Sequence, residues 1–423
     1  MRVLINAFAC SPYRGSECAV GWNISMALAH LHDVTVICGD LKSVQSNWRD
    51  LSAYGLDKIP FAVEYVAPTK LISLLERLHR IPGLWFLYYV AYNLWQRKAY
   101  VRARKLHTER PFDVAHQLNM IGYREPGYMW ELGIPFVWGP IGGAPNEPWA
   151  YRALFSLSGC IKVGCRTLLN EMQKRICWRA RLAVARARKL WAVTSADEEM
   201  VAGIWHRPCE RCLETGIVPQ KAAFVRKWTP SEPLRLVWSG IHTSRKALPI
   251  LLHALARING KVDFRLDVLG EGPESASWRK LAAQLGIADR LTWRGRIDHD
   301  AALLCMNEAH VLAFTSIKEG TPHVVTEAVS LGLPVICHDA CGMGTVVTET
   351  CGMKIPLKDP KASIAGFASA LLQLAHNPRE VETLSQGTLL RAKELSWATK
   401  ASVIARGYAE AIEATHAWLK ITG

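Results

Sequence analysis

What this chain has little of already narrows its class. Charged side chains make up only 21% of its 423 residues and hydrophobic ones 50%, a balance of packed cores rather than disorder. No stretch reaches the roughly 18 apolar residues of a membrane-spanning helix. The nearest, Leu84 to Tyr92, is far shorter and rich in aromatics. The opening Met1-Arg2-Val3-Leu4-Ile5-Asn6 enters a strand pattern at once and shows no signal-peptide cleavage region, so a reducing, cytoplasmic location is expected. Twelve cysteines are present, but Cys38 and Cys337 sit in apolar runs as small hydrophobes. Cys209 and Cys212 have C-x-x-C spacing with no second pair to complete a zinc site. No period of 20 to 50 residues repeats, which excludes a solenoid.

Acidic residues are also short, 37 against 51 Lys and Arg, and the net charge of +14 predicts an anionic partner. The excess is local. Residues 70–110 carry nine basic and two acidic side chains, and residues 152–190 carry ten basic ones and only Glu171.

Short Val-, Ile- and Leu-rich runs recur along the chain, with helical patterns such as Leu248 to Ile258 between them. In the first half they are Val3–Phe8, Val34–Cys38, Phe61–Val66, Val114–Leu118, Phe136–Trp138 and Leu190–Thr194. In the second half they are Leu234–Trp238, Phe264–Leu269, Leu291–Trp293, Val311–Phe314 and Val335–Cys337. Several are apolar on both alternations, as parallel strands between two helical layers must be. The expected fold class is α/β, with two Rossmann-like doubly wound domains. The breakers of Pro219 to Pro233 divide residues 1–218 from 219–396. Residues 397–423 form a closing helix, with an amphipathic pattern over Ala401 to Leu419.

The most informative stretch is Thr315-Ser316-Ile317-Lys318-Glu319-Gly320-Thr321-Pro322-His323-Val324-Val325-Thr326-Glu327-Ala328. It follows a strand, with Thr321 suited to the N-cap and Pro322 to the first helical position. Glu319 then precedes the helix and Glu327 lies inside it, roughly 9 Å along at 1.5 Å per residue. That spacing compares with a diphosphate bridging a sugar and a ribose, and the helix start offers N–H groups to an anion. One carboxylate could accept hydrogen bonds from sugar hydroxyls and the other from ribose hydroxyls.

Here the sequence resembles the retaining family 4 glycosyltransferases, within glycosyl transferases group 1 and the GT-B fold, in which two such domains face a cleft. Their donor signature is Glu, seven residues, Glu, matched by Glu319 and Glu327. The resemblance implies that Glu319 holds donor sugar hydroxyls, that Gly320, Thr321 and Pro322 bring backbone N–H groups close, and that Glu327 binds the ribose. It implies that Lys246 neutralises the donor diphosphate. Where many members carry Arg after the glycine of Trp238-Ser239-Gly240, this chain has Ile241, and Arg245 is the candidate substitute. Gly240, Gly270, Gly272 and Arg296 fit the family's strand-end turns on the donor side. Gly15 and Ser16 fit the loop over the donor phosphates, and His116 fits the family's histidine that contacts the transferred sugar. Gly139 to Gly143 is a second glycine loop, on the acceptor side. The family implies no cofactor and no metal.

The implied reaction transfers a sugar from a nucleotide-sugar to an acceptor hydroxyl with retention. The basic, Trp-bearing stretches Trp95 to Leu106 and Lys174 to Arg188 read as helices for an anionic bilayer. They suggest peripheral attachment on the inner face of the membrane, with a lipid-linked or cell-surface polysaccharide glycan as acceptor. Two other classes compete: a nucleotide-sugar enzyme without an acceptor, of epimerase type, and a basic nucleic-acid-binding protein. The second lacks any recognisable reading motif, so nucleic acid is not an expected partner.

Overall fold

The structure is a computed structural model; it describes residues 1–41, 46–218, 220 and 223–422, with the side chains of 418–422 left aside. Two parallel sheets organise the described residues. The first runs in the order β3-β2-β1-β4-β5-β6-β7. Its strands are β1 (Arg2–Ala7), β2 (Asp33–Gly39), β3 (Ala62–Val66), β4 (Val114–Asn119), β5 (Phe136–Ile141), β6 (Lys189–Ala192) and β7 (Glu210–Arg211). The second runs β10-β9-β8-β11-β12-β13. It comprises β8 (Leu234–Ser239), β9 (Phe264–Leu269), β10 (Leu291–Gly295), β11 (Val311–Phe314), β12 (Val335–His338) and β13 (Gly352–Ile355).

The apolar runs become the central strands because both faces of a parallel sheet need cover. Val3 and Ile5 pack into one core of the first sheet, while Leu4 packs into the other. β4, β5, β11 and β12 are buried along their whole length. Two edge strands escaped the sequence reading. β7 is two exposed polar residues, and β13, Gly-Met-Lys-Ile, has no apolar run to mark it.

By contacts the chain divides into two compact units. The first comprises Met1–Ala144, Met172–Thr215 and the chain from Trp397 on; the second comprises Pro145–Glu171 and Gly216–Ser396. Compared with the expected division, the boundary falls after Thr215 rather than after residue 218, and one long segment changes sides. Residues 145–171 group with the second unit because Tyr151, fully buried, packs into that unit's core with Leu154 and Phe155 beside it. Pro219, at the expected boundary, lies outside the described residues. The helix Trp397–Thr422 packs on the helix Glu17–Ala29 within the first unit, through Ile404, Tyr408 and Ala411.

Two helical expectations need correction. Lys174 to Arg188 is not one helix: the helix Leu157–Ile176 ends and Trp178–Arg186 begins, with Cys177 between them at ψ 84°. Trp95 is not a surface anchor but 0% exposed, its indole donating to the Val66 carbonyl at 2.7 Å. Much of the basic charge around it is met internally. Arg97 pairs with Glu131 at 2.9 Å, and Arg102 with Glu64 at 2.8 Å.

Candidate functional site

The second unit gathers its polar groups where β8 and β11 end. β11 is four buried apolar residues, and the chain leaves the sheet at Thr315. The Thr315 hydroxyl accepts from Trp238 Nε1 at 3.0 Å and donates to the Lys246 carbonyl at 2.9 Å. Ile317 N–H donates to the Arg245 carbonyl at 3.0 Å. The segment 315–319 is thereby laced to the turn Ser244–Lys246 that follows β8.

That lacing brings three predicted residues together. Lys246 Nζ lies 2.6 Å from Glu319 Oε1, and Arg245 reaches the same oxygen at 3.2 Å. Ser316 Oγ donates to it at 2.5 Å. Both Lys246 and Glu319 expose only 11% of their side chains. Burial pulls the Lys246 ammonium below its ordinary pKa, against the pull of Glu319, while Arg245 lowers it further. Lys246 also sits 4.9 Å over the Phe314 ring. This cation group, held in low dielectric, suits a polyanion.

Gly320, Thr321 and Pro322 continue into the helix His323–Ser330. The expected cap shifts by one residue: Pro322, extended at ψ 122°, occupies the N-cap, and Thr321 precedes it as a buried residue. A proline cap has no side-chain acceptor; its carbonyl accepts from Val325 N–H at 3.1 Å, and the first turn has no side-chain cap. Gly342 holds this loop from behind, donating to the Gly320 carbonyl at 2.9 Å. Glu327 lies inside the helix and half-buried, and His299 Nε2 sits 3.0 Å from its Oε1. The hydrogen bond to Glu327 raises the His299 pKa.

The strand-end glycines have a reason internal to the unit. Gly270 takes φ +106°, and a Cβ there would stand 2.1 Å from the Gly240 carbonyl oxygen. At Gly272 it would stand 2.5 Å from the His242 carbonyl oxygen. The turns after β8 and β9 touch backbone to backbone. Arg296 is exposed just beyond β10.

The remaining predicted residues belong to the first unit. At Gly15 a Cβ would meet nothing within 4 Å, and it is Ser16 that adopts positive φ, 54°. His116 requires the firmest correction. It is 0% exposed in mid-β4, with Nε2 donating to the Gly139 carbonyl at 2.7 Å and Nδ1 accepting from the Tyr408 hydroxyl at 2.7 Å. Burial pushes its pKa down to about 4. Both ring nitrogens are occupied, so it is a core histidine rather than a contact for sugar.

Several residues of the site carried no sequence signal. His299 is one, and His242 another: 1% exposed, its ring 4.9 Å from Trp278 and its Nδ1 2.8 Å from Ser275 Oγ. Glu147, from the segment 145–171, pairs with Lys318 at 3.1 Å. His338 donates to the Ser316 carbonyl. Asp298 and Asp300 stand two apart, but Asp298 caps the helix His299–Glu308 and Asp300 is 98% exposed. Among the described residues, no group of three His, Cys, Asp or Glu side chains could hold a metal ion. Cys209 and Cys212 are free thiols, and burial raises the Cys209 pKa to about 12.

Comparison with known proteins bears on the fold and on the segment 221–387. A D-inositol 3-phosphate glycosyltransferase of Streptomyces bingchenggensis is 30% identical over 202 residues, covering 45% of this chain and 44% of that protein. The chain thus spans under half the length of this relative. A lipopolysaccharide outer core galactosyltransferase, WaaB in its apo form, matches 98% of this chain and 100% of its own with TM-score 0.62 at 16% identity. Anabaena Alr3699/HepE in complex with UDP matches 96% of this chain and 99% of its own, with TM-score 0.57 at 14% identity. At such identities these likenesses show the fold: two Rossmann-like parallel-sheet domains, matching GT-B glycosyltransferases. Residues 221–387, which hold Arg245, Lys246, Glu319 and Glu327, match the family model described as Glycosyl transferases group 1.

Proposed function

We propose that the protein is a glycosyltransferase that moves a sugar from a nucleotide-diphosphate sugar to an acceptor hydroxyl, with retention of anomeric configuration and without a metal. One observation carries the reading: Lys246, Arg245 and Ser316 converge on Glu319 at the end of β11, just ahead of a helix start. The Lys246–Glu319 pair can open toward a ligand bearing both charges' partners. A diphosphate would take the ammonium and guanidinium, and sugar hydroxyls would donate to the released carboxylate. As the sugar–phosphate bond breaks, negative charge grows on the leaving diphosphate, where Lys246 and Arg245 stabilise it. In a front-face displacement that phosphate takes the acceptor's proton as the hydroxyl oxygen bonds to the anomeric carbon. Glu327, oriented by His299, holds the ribose. The UDP bound by the Anabaena protein supports trying uridine nucleotides first.

The test is a thermal-shift screen against UDP, GDP, ADP and their sugars, beside Glu327→Ala. A ligand at 100 times its Kd adds about 2.7 kcal/mol. A shift with one nucleotide family, lost in the variant, is expected; no shift with any of them sinks the donor-site reading. Sugar release or isomerisation without an acceptor would favour the epimerase-type alternative.

For the acceptor we propose a lipid-linked or membrane-surface glycan at the cytoplasmic face. Among the described residues no helix is long and apolar enough to cross a membrane. Within the first unit, however, Leu71, Leu74, Ile81, Trp85 and Phe86 are each 45% or more exposed. Lys70 and Arg77 line an adjoining groove of about 450 Å³ with Ser73. Apolar side chains beside cations suit an anionic bilayer. Pelleting with phosphatidylglycerol vesicles at low salt, reduced in Trp85→Ser/Phe86→Ser, is expected; no pelleting of the wild type ends this part.

A further inference from the structure

Glu319 is held from one side by cations, but its bond to Ser316 depends on a second, wholly buried set of side chains in the same unit. The β11–β12 ladder ends at the Phe314–Cys337 pair. The Ser316 carbonyl lies beyond it and is 0% exposed, so it needs a donor from elsewhere. His338, the last residue of β12, supplies one from Nδ1 at 3.0 Å. Its Nε2 lies 2.8 Å from Ser363 Oγ, in the helix Pro360–His376. Ser363 Oγ in turn lies 2.6 Å from the hydroxyl of Tyr151, in the segment that joins the second unit's core. Tyr151, Ser363 and His338 are all 0% exposed.

The direction of every proton in this chain follows from its end. A carbonyl only accepts, so His338 Nδ1 carries the hydrogen. The imidazole is neutral, since burial pushes its pKa down to about 4, and Nε2 must therefore accept from Ser363. The single Ser363 hydrogen is then spent, and Tyr151 must donate to Ser363. Burial keeps the Tyr151 phenol protonated by raising its pKa. All donors point one way, from Tyr151 to Ser316, and such chains strengthen cooperatively. No other arrangement satisfies each group. The Ser316 hydroxyl then continues to Glu319 Oε1. A second tie from the same segment, Glu147 to Lys318 at 3.1 Å, holds the loop just before Glu319.

We propose that Tyr151, Ser363 and His338 are positioning residues for recognition of the donor's sugar, setting Glu319 through the backbone and hydroxyl of Ser316. This rests on the donor-site reading above. The relay ends on Ser316, whose hydroxyl holds the carboxylate that meets sugar hydroxyls, and neither Arg245 nor Lys246 relies on it for charge. Its loss should therefore weaken binding of the sugar and spare binding of the diphosphate. A merely structural role would weaken both alike.

The experiment measures Kd by calorimetry for the nucleoside diphosphate and the matching nucleotide-sugar that shift the wild type in the screen. Variants are Tyr151→Phe, Ser363→Ala, His338→Ala and His338→Asn in the full chain. For Tyr151→Phe and Ser363→Ala, we expect nucleotide-sugar affinity to fall about fivefold, the equivalent of one hydrogen bond, with diphosphate affinity unchanged. His338→Asn keeps an N–H for the Ser316 carbonyl and should recover part of the loss seen in His338→Ala. In a Glu319→Gln background, adding Tyr151→Phe should change nothing further. Parallel loss of both ligands, or full sugar affinity in folded Tyr151→Phe or Ser363→Ala, overturns the relay. A wild type that binds no nucleotide-sugar overturns the donor-site reading itself, and the relay with it.

Discussion

Glu319 Oε1 accepts from Ser316 and forms ion pairs with Lys246 and Arg245, so its neighbours can be changed singly without freeing it. In Lys246→Met, Arg245 and Ser316 still hold Glu319, and the protein should fold. Loss of a cation aimed at the leaving group lowers kcat by about 10²–10³ in comparable sites. Sugar-transfer kinetics on the folded variant check this, and an undiminished kcat would remove Lys246 from the mechanism. His116 calls for the opposite expectation. Tyr408→Phe takes away the donor to its buried Nδ1, which should cost about 1–3 kcal/mol in stability and leave donor affinity unchanged. Urea unfolding and calorimetry together decide that point. Glu17 supplies a pH signature. Burial raises its carboxyl to about 7, and one of its oxygens has no partner. A folded pKa above the unfolded value means that the folded state retains a proton the unfolded chain loses. Stability from this group is present below about pH 4.5 and lost as pH rises through 7. Glu17→Gln cannot ionise, so its Tm relative to wild type should climb between pH 5 and pH 8; a pH-independent difference would refute the burial argument.

Among the elements, the short helix Cys341–Val346 approaches the loop Gly320–Thr321 closely. A Cβ on Gly342 would stand 2.3 Å from the Gly320 carbonyl oxygen and 2.6 Å from Thr321 Cα. Backbone cannot rotate aside as a side chain can, so Gly342→Ala should displace the loop at a cost of about 1–3 kcal/mol. Melting and nucleotide-sugar binding should both fall; unchanged binding would mean that the loop tolerates the shift. No local pattern in Cys341-Gly342-Met343 points to this contact, since its partner lies about twenty residues earlier. The central strands, by contrast, were legible, because burial on two faces imposes continuous apolar runs. The helix break at Cys177 was not, since the basic pattern on either side of it keeps helical spacing.

At the scale of the molecule, the described residues form two parallel sheets with separate cores and twelve free thiols. Melting should accordingly be the same with and without dithiothreitol, and a drop on reduction would reveal a disulfide. Sequence by itself determined the α/β class and the place of the loop 315–322 at a strand end, and it named Glu319 and Lys246 as candidates without pairing them. These are encoded locally: a buried strand must be apolar, a loop at a helix start must bend, and charged residues at a strand end stand out. Only the tertiary structure decided which histidines are core, that Tyr151 belongs with the second unit, and that His338 stands behind Ser316. It also took Trp95 into the core and left the stretch around Trp85 exposed. A residue's type states which hydrogen bonds it can make. Whether those bonds are already taken depends on partners hundreds of residues away, as for His116 and Tyr408, and no window of sequence contains that answer.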